Sequence, residues 1–214
     1  MMTRTVSIAQ ARQGDSHTIQ EIGIPSLVLM ERAALGATGR LLTGDFNLSN
    51  VLVFAGTGNN GGDGLAIARM LHVRDVKVTV MLTGAEDHTS TETAQQLKIL
   101  HYYQIPVIPA STSLSGYTTI IDAIFGIGLD RPVEGKFADW IKAINASSAK
   151  VFSVDVPSGL NADTGEPQGA TVKATATSTF AYAKNGFVTD QGKQYTGELF
   201  VEDIGVYLND HYEA

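Results

Sequence analysis

The chain contains no cysteine, which excludes disulfides, thiolate metal sites and cysteine nucleophiles together and is compatible with a reducing compartment. Positive charge is also scarce: 15 Lys and Arg stand against 22 Asp and Glu, a formal net charge of −7. An acidic chain without a basic block suits neither nucleic acid nor an anionic membrane surface, so neither is an expected partner. Any bound phosphate would then be held by local backbone dipoles. No apolar run approaches the ~20 residues of a membrane span. Met1-Met2-Thr3-Arg4 does not open onto the apolar core of a signal peptide either. A cytoplasmic protein is therefore expected.

What is present is globular in character. The 214 residues are 43% apolar and 17% charged, enough to bury a substantial core. One domain over residues 1–214 is expected, with an N-terminal helical segment over about 1–45 and a core over about 50–205. Four β-rich runs stand out: Val51–Ala55, Val76–Leu82, Thr118–Phe125 and Lys150–Asp155. Thr177–Tyr182 and Glu198–Val201 are weaker and more polar. Helical patterns lie between them at Leu65–Leu71, Thr89–Tyr102 and Asp139–Ile144, the second opening with the capping-box pattern Thr89-x-x-Glu92. Pro25-Ser26 starts an earlier helix whose Leu27, Met30, Ala34, Ala37 and Leu41 recur at helical spacing. Alternation of this kind predicts an α/β fold, a mostly parallel central sheet covered on both faces.

In such a sheet, ligands bind beyond the carboxyl ends of the strands. The first strand is followed by Gly56-Thr-Gly-Asn-Asn-Gly-Gly-Asp-Gly64, which contains a G-x-G-x-x-G at Gly56, Gly58 and Gly61. Alone, that pattern predicts a dinucleotide pyrophosphate at a helix N-terminus, or else a merely structural glycine turn. Asn59, Asn60 and Asp63 are more polar than a plain phosphate cradle needs. No ribose-binding acid is well placed ~20 positions on, so an ordinary hydride-transfer enzyme is disfavoured.

The third strand carries Asp122 and runs into a second glycine turn, Gly126-Ile127-Gly128-Leu129-Asp130-Arg131-Pro132. There Arg131 is either the local cation for a ligand or a solvated partner of Asp130. The fourth ends at Asp155, followed by Val156-Pro157-Ser158-Gly159. A carboxylate in that place is a natural general acid or base, or else caps the next turn. Lys184 reads as an exposed lysine, with the alternative that it reaches the same edge. Asn60, Asp122 and Ser158 come from three strand ends and offer oxygen ligands only, the chemistry of a hard cation of low charge. Asn161-Ala-Asp-Thr-Gly165 looks faintly like a calcium loop and is read as a turn.

Several of these motifs together resemble the NAD(P)H-hydrate epimerase family, the YjeF N-terminal domain. They are Gly58-Asn-Asn-Gly-Gly-Asp-Gly64, Asp122-Ala-Ile-Phe-Gly126 with Gly128-Leu-Asp-Arg-Pro-Val133, and Asp155-Val-Pro-Ser-Gly-Leu160. Gly23-Ile-Pro25, Leu29-Met-Glu-Arg-Ala33 and Asp203-Ile-Gly205 support them. The resemblance implies a Rossmann-like three-layer α/β/α sandwich, a homodimer, and interconversion of the R and S forms of hydrated NADH or NADPH. It implies that Asn59, Asn60, Gly61, Gly62 and Asp63, together with Gly126 through Pro132, line the substrate. Asp155 would bind near the reacting ring, and Asn60, Asp122 and Ser158 would hold a potassium ion. The chain ends after this domain, so the dehydratase that consumes the product is expected to be a separate protein. Two departures concern Lys184: the family often has an Asp near Thr175 and a proline where this chain has Asn185.

The stereocentre in question, C6, bears both a hydroxyl and the ring nitrogen, so it epimerises without breaking a C–H bond. The nitrogen lone pair can expel the protonated hydroxyl to give a flat iminium, or the ring can open to an aldehyde and reclose. Either route needs a group that donates and recovers a proton, and Asp155 is the expected one. The alternative is a non-catalytic nucleotide-binding or scaffold module on the same fold.

Overall fold

The computed structural model describes residues 4–208. Its strands are β1 (Thr5–Val6), β2 (Val51–Ala55), β3 (Val78–Leu82), β4 (Val107–Pro109), β5 (Thr119–Ala123), β6 (Lys150–Val154), β7 (Ala176–Phe180), β8 (Ala183–Lys184) and β9 (Glu198–Glu202). Its α-helices are α1 (Ile8–His17), α2 (Ser26–Thr43), α3 (Asn59–His72), α4 (Thr91–Tyr102), α5 (Gly135–Ala146) and α6 (Lys193–Thr196). Seven strands form one sheet in the order β4-β3-β2-β5-β6-β7-β9, every neighbouring pair parallel. The chain moves outward from β2 to β4 and then returns to lay β5 on the other side of β2. That reversal opens a crevice at the carboxyl ends of β2 and β5, where the two glycine-rich turns emerge.

The side-chain period of two sorts each strand into two cores. Val51, Val53 and Ala55 face Ala34, Ala37 and Leu41 of α2, Leu65 of α3 and Leu97 of α4. Leu52 and Phe54 face Trp140, Ile141 and Ile144 of α5. The result is the expected three layers. The polar strand β7 is interior along most of its length because its hydroxyls are satisfied: Thr177 donates to the carbonyl of Thr196 (2.7 Å) and Thr179 to Asp155 (3.2 Å).

Several boundaries differ from the sequence reading, each for a local reason. Helix α3 begins at Asn59 rather than Leu65, so most of the glycine-rich stretch is its opening turns. Only glycine can stand at 61, because a Cβ there would lie 1.9 Å from the Gly56 carbonyl oxygen. Helix α4 is capped by Ser90, whose hydroxyl accepts the Thr93 N–H (3.3 Å). Thr89 cannot serve because its hydroxyl turns back to the Glu86 carbonyl, and Glu92 accepts from Ser26 instead. Strand β3 starts at Val78. Leu27 leaves the apolar stripe of α2 and is 39% exposed, while Met30, Ala34, Ala37 and Leu41 are buried. The short edge strand β4, helix α1 and the parallel pair β1–β8 have no strong pattern in the sequence. Residues 161–165 form the expected turn, with the Asn161 side chain accepting from the N–H groups of Asp163 (2.9 Å) and Thr164 (3.1 Å). Among the described residues, no helix is long and apolar enough to cross a membrane.

Candidate active site

A cavity of about 780 Å³ lies over the crevice, within the ~300–1,000 Å³ typical of small-molecule sites. Its walls are the two glycine-rich turns, and Asp155 and Lys184 line it as well. Helix α1 contributes Ala11, Arg12 and Asp15, and the segment beyond β9 contributes Ile204, Val206 and Leu208. Arg12 Nη2 donates to the Ile127 carbonyl (3.1 Å), which ties α1 to the second glycine turn.

The opening of α3 carries no side-chain cap, and the Gly62 N–H is the first to reach back, to the Gly58 carbonyl (3.3 Å). The amides of residues 59 and 60 are therefore orphan donors beside the cavity, and the helix dipole gives them a partial positive charge. Asn59, Asn60, Asp63 and residues 126–131 line the cavity. Gly61 and Gly62 stand behind its wall, buried by the close packing of α3 on the Gly56 turn and on Met30 and Thr93. Pro132 lies past the second turn and is exposed. Arg131 and Asp130 are exposed and form no ion pair with each other, so Arg131 is left as a local cation on the cavity wall.

Asp122 and Ser158 form a buried unit beneath the floor. Both are 0% exposed. Asp122 Oδ1 accepts from the Ser158 hydroxyl and the Ile124 N–H (3.4 Å), and Oδ2 from the Ser153 hydroxyl and the Ser158 N–H (both 2.9 Å). Burial pushes the carboxyl above its ordinary range while these bonds pull it down. The Ser158 hydroxyl also accepts the Phe125 N–H (2.9 Å), joining the unit to the second glycine turn. Asn60 meets that turn from the other side: a Cβ at Gly126 would lie 3.2 Å from Asn60 Oδ1, a tight contact that would press on the Asn60 side chain. Both polar atoms of the Asn60 side chain are buried without a hydrogen-bond partner.

Asp155 follows β6 with φ +63, a left-handed backbone that Asp and Asn tolerate better than most residues. Strain of this kind costs about 1–3 kcal/mol and concentrates at functional positions. Its Oδ1 accepts from Lys184 Nζ (2.7 Å) and the Thr179 hydroxyl (3.2 Å). Lys184 is the largest departure from the sequence reading. It is 2% exposed rather than solvated, and it also donates to Thr179 Oγ1 (2.7 Å) and the Phe180 carbonyl (3.1 Å). A second left-handed residue, Ala181 at φ +59, turns the chain between β7 and β8 and brings Lys184 back under Asp155. Pairing of β8 with β1 then holds it there. The departures near Lys184 do not disturb this: Thr175 Oγ1 accepts the Val151 N–H (3.1 Å), and Asn185 opens a short 3₁₀ turn.

Two further carboxyls share the cavity. Asp63, on α3, is pushed well above the ordinary range by burial, with the charges of Asp155 and Asp15 acting in the same direction. Asp15, on α1, is pushed up to about 6 by burial and by Asp155, with Lys184 opposing. Sequence reasoning had no route to Asp15, because α1 has no pattern that places it over the sheet.

A family model described as "YjeF-related protein N-terminus" matches residues 26–186. Proteins named NAD(P)H-hydrate epimerase from Levilactobacillus brevis and Limosilactobacillus fermentum are each 51% identical to this chain. The first aligns over 99% of both chains. The second aligns over 97% of this chain and 100% of its own. Another of that name, from Lentilactobacillus buchneri, is 48% identical over 99% of both chains. Among solved structures, that of the yeast protein ynu0 superposes with a TM-score of 0.73 at 25% identity, over 86% of this chain and 82% of that one.

Proposed function

The chain belongs to the YjeF-related N-terminal family, and we propose that it interconverts the R and S epimers at C6 of hydrated NADH and NADPH. The observation that carries this reading is Asp155, a strained, ion-paired carboxylate on a cavity between two glycine-rich turns, in a chain about half identical to proteins bearing that activity's name. The orphan amides of α3 would receive anionic oxygens of the nucleotide. Asp155 would lie by the reduced ring, where its negative charge stabilises the positive charge that develops as the C6–oxygen bond breaks. Exchange of a hydroxyl between two faces of one carbon is redox-neutral, so the protein supplies only binding, charge and protons.

The residues beneath the floor fit a potassium ion. Asp122 brings a buried negative charge balanced only by hydroxyl and N–H donors, and Asn60 brings a buried carbonyl oxygen without a partner. Asn60, Asp122 and Ser158 would hold the ion, which would supply a fixed positive charge where the two glycine turns meet. A homodimer is supported by Val28, Leu35 and Leu42, exposed on α2 at seven-residue spacing (45%, 57% and 43%). Such an apolar stripe is the kind of surface a second subunit covers. A dehydratase specific for the S epimer would consume the product, and the cytoplasm, where the coenzymes are used, would be the compartment for such a repair step.

The test uses mixed R and S hydrates of NADH with an S-specific, ADP-dependent dehydratase. Alone, the dehydratase consumes the S form quickly and the remainder at the spontaneous rate. Catalytic amounts of this protein in potassium buffer should accelerate the second phase. An unchanged second phase with folded protein would make the chain a nucleotide-binding or scaffold module. Sedimentation of Leu35→Glu against the unaltered protein tests the dimer.

A further inference from the structure

The two epimers carry their oxygen on opposite faces of one flat ring, so a proton must be handled on each face. Asp155 is fixed at the sheet edge and serves the face turned to it. On the iminium route the oxygen of the other epimer points away from Asp155, and a second acid–base group on that face serves it.

Resting on the proposed epimerisation, we propose that Asp15 of α1 is that second catalytic carboxyl. It lines the cavity on the helix that Arg12 ties to the second glycine turn, whereas Asp155 rises from the end of β6. Its side chain accepts no hydrogen bond and joins no ion pair among the described residues, so its oxygens are free for a ligand. Asp155 has only Oδ1 engaged, by Lys184 and Thr179, which leaves Oδ2 free as well. Asp15 also lies outside the residues 26–186 that the family model matches.

The cycle balances. Protonated Asp15 gives its proton to the C6 hydroxyl, the C6–oxygen bond breaks with the nitrogen lone pair forming the iminium, and water departs. A water on the opposite face adds to C6 and gives its proton to Asp155, which forms the other epimer. The proton then passes from Asp155 back to Asp15 through the cavity, and the reverse conversion uses the same steps backwards. The pair must hold one proton between them. Asp15 suits this exchange because burial and the Asp155 charge place it at about 6, close to neutral pH. The other groups that face it are Lys184 of β8, which is ion-paired with Asp155, and Asp63 of α3, whose carboxyl burial pushes well above its ordinary range.

The experiment is the coupled epimerisation assay on the unaltered protein, Asp15→Asn and Asp15→Glu, across pH 5–9, with the spontaneous rate subtracted. In the unaltered protein kcat/KM should fall as pH rises through the region near 6, where the pair loses its shared proton. The equilibrium between epimers does not depend on pH, so the limb is the same in both directions. Asp15→Asn should lose kcat by ~10²–10⁴-fold, lose that limb and keep a cooperative thermal transition, with Asp15→Glu recovering part of the rate. A loss under tenfold, or a larger loss that leaves the limb in place, overturns the inference while the epimerase reading stands. No activity in the unaltered protein is the separate failure of that reading.

Discussion

Asp122 and Asp155 stand at the carboxyl ends of the paired strands β5 and β6, and their surroundings treat the same side chain in opposite ways. Asp122 is sealed, with each oxygen taken by two fixed donors and no ammonium or guanidinium beside it. Asp155 has a buried lysine on one oxygen, the other oxygen free, and a left-handed backbone beneath both. A carboxylate saturated by hydroxyls and N–H groups holds neighbouring turns together and keeps a buried negative charge beneath the floor. A carboxylate with one oxygen turned to a cavity is available for chemistry. Two different segments make the difference: the Val156-Pro-Ser-Gly turn closes over Asp122, while the excursion through Ala181 supplies Asp155 with its lysine.

The contrast can be broken most strongly at Asp155. Asp155→Asn keeps a residue tolerant of φ +63 and an acceptor for Lys184, so it should fold while losing at least ~10²-fold in epimerisation rate. Coupled kinetics with a thermal melt of the same sample checks both halves. Next in size, Lys184→Ala leaves three carboxyls in the cavity without a buried cation. It should destabilise by about 3–5 kcal/mol, read from denaturant midpoints. Asp122→Asn puts an amide donor where serine and backbone donors already point. It should cost about 1–3 kcal/mol and abolish any stabilisation by potassium over sodium.

Asp15 gives a smaller effect with a defined sign. Its folded pKa is raised to about 6, so the folded state binds more protons than the unfolded one between about 4 and 6, and stability falls as pH rises through that window. Asp15→Asn should therefore be more stable than the unaltered protein at pH 7, by about 1–3 kcal/mol, and no more stable near pH 4. Melting curves at the two pH values decide it. The smallest expected change is Ala181→Gly, which relieves the left-handed strain that delivers Lys184 and should stabilise by about 1 kcal/mol or less.

The parts of the site legible in the sequence were those whose chemistry is local. Strand ends followed by glycine, with Asn59, Asn60, Asp63, Asp122 and Asp155 close to them, announce a ligand edge because a parallel sheet gathers the ends of its strands on one side. Lys184 was misread because nothing in its neighbours signals burial. Its environment is assembled from β1, β6 and β7, far apart in the chain. The capping of α4 was misread by one residue because Ser90 and Thr89 are both competent caps, and only the turn at 86–88 decides between them.

The sequence by itself determined the α/β layering and the two glycine-rich turns, because periodicity and strand-end chemistry act over a few residues, whereas the oxygen-only grouping of Asn60, Asp122 and Ser158 needs the fold to bring three strand ends together. Only the tertiary structure decided that Asp122 is sealed and Asp155 half open, that Lys184 is a buried partner, and that α1 brings Asp15 over the cavity. Burial and the charges of neighbours determine what a carboxyl can do, and both are set by segments that meet only when the chain has folded.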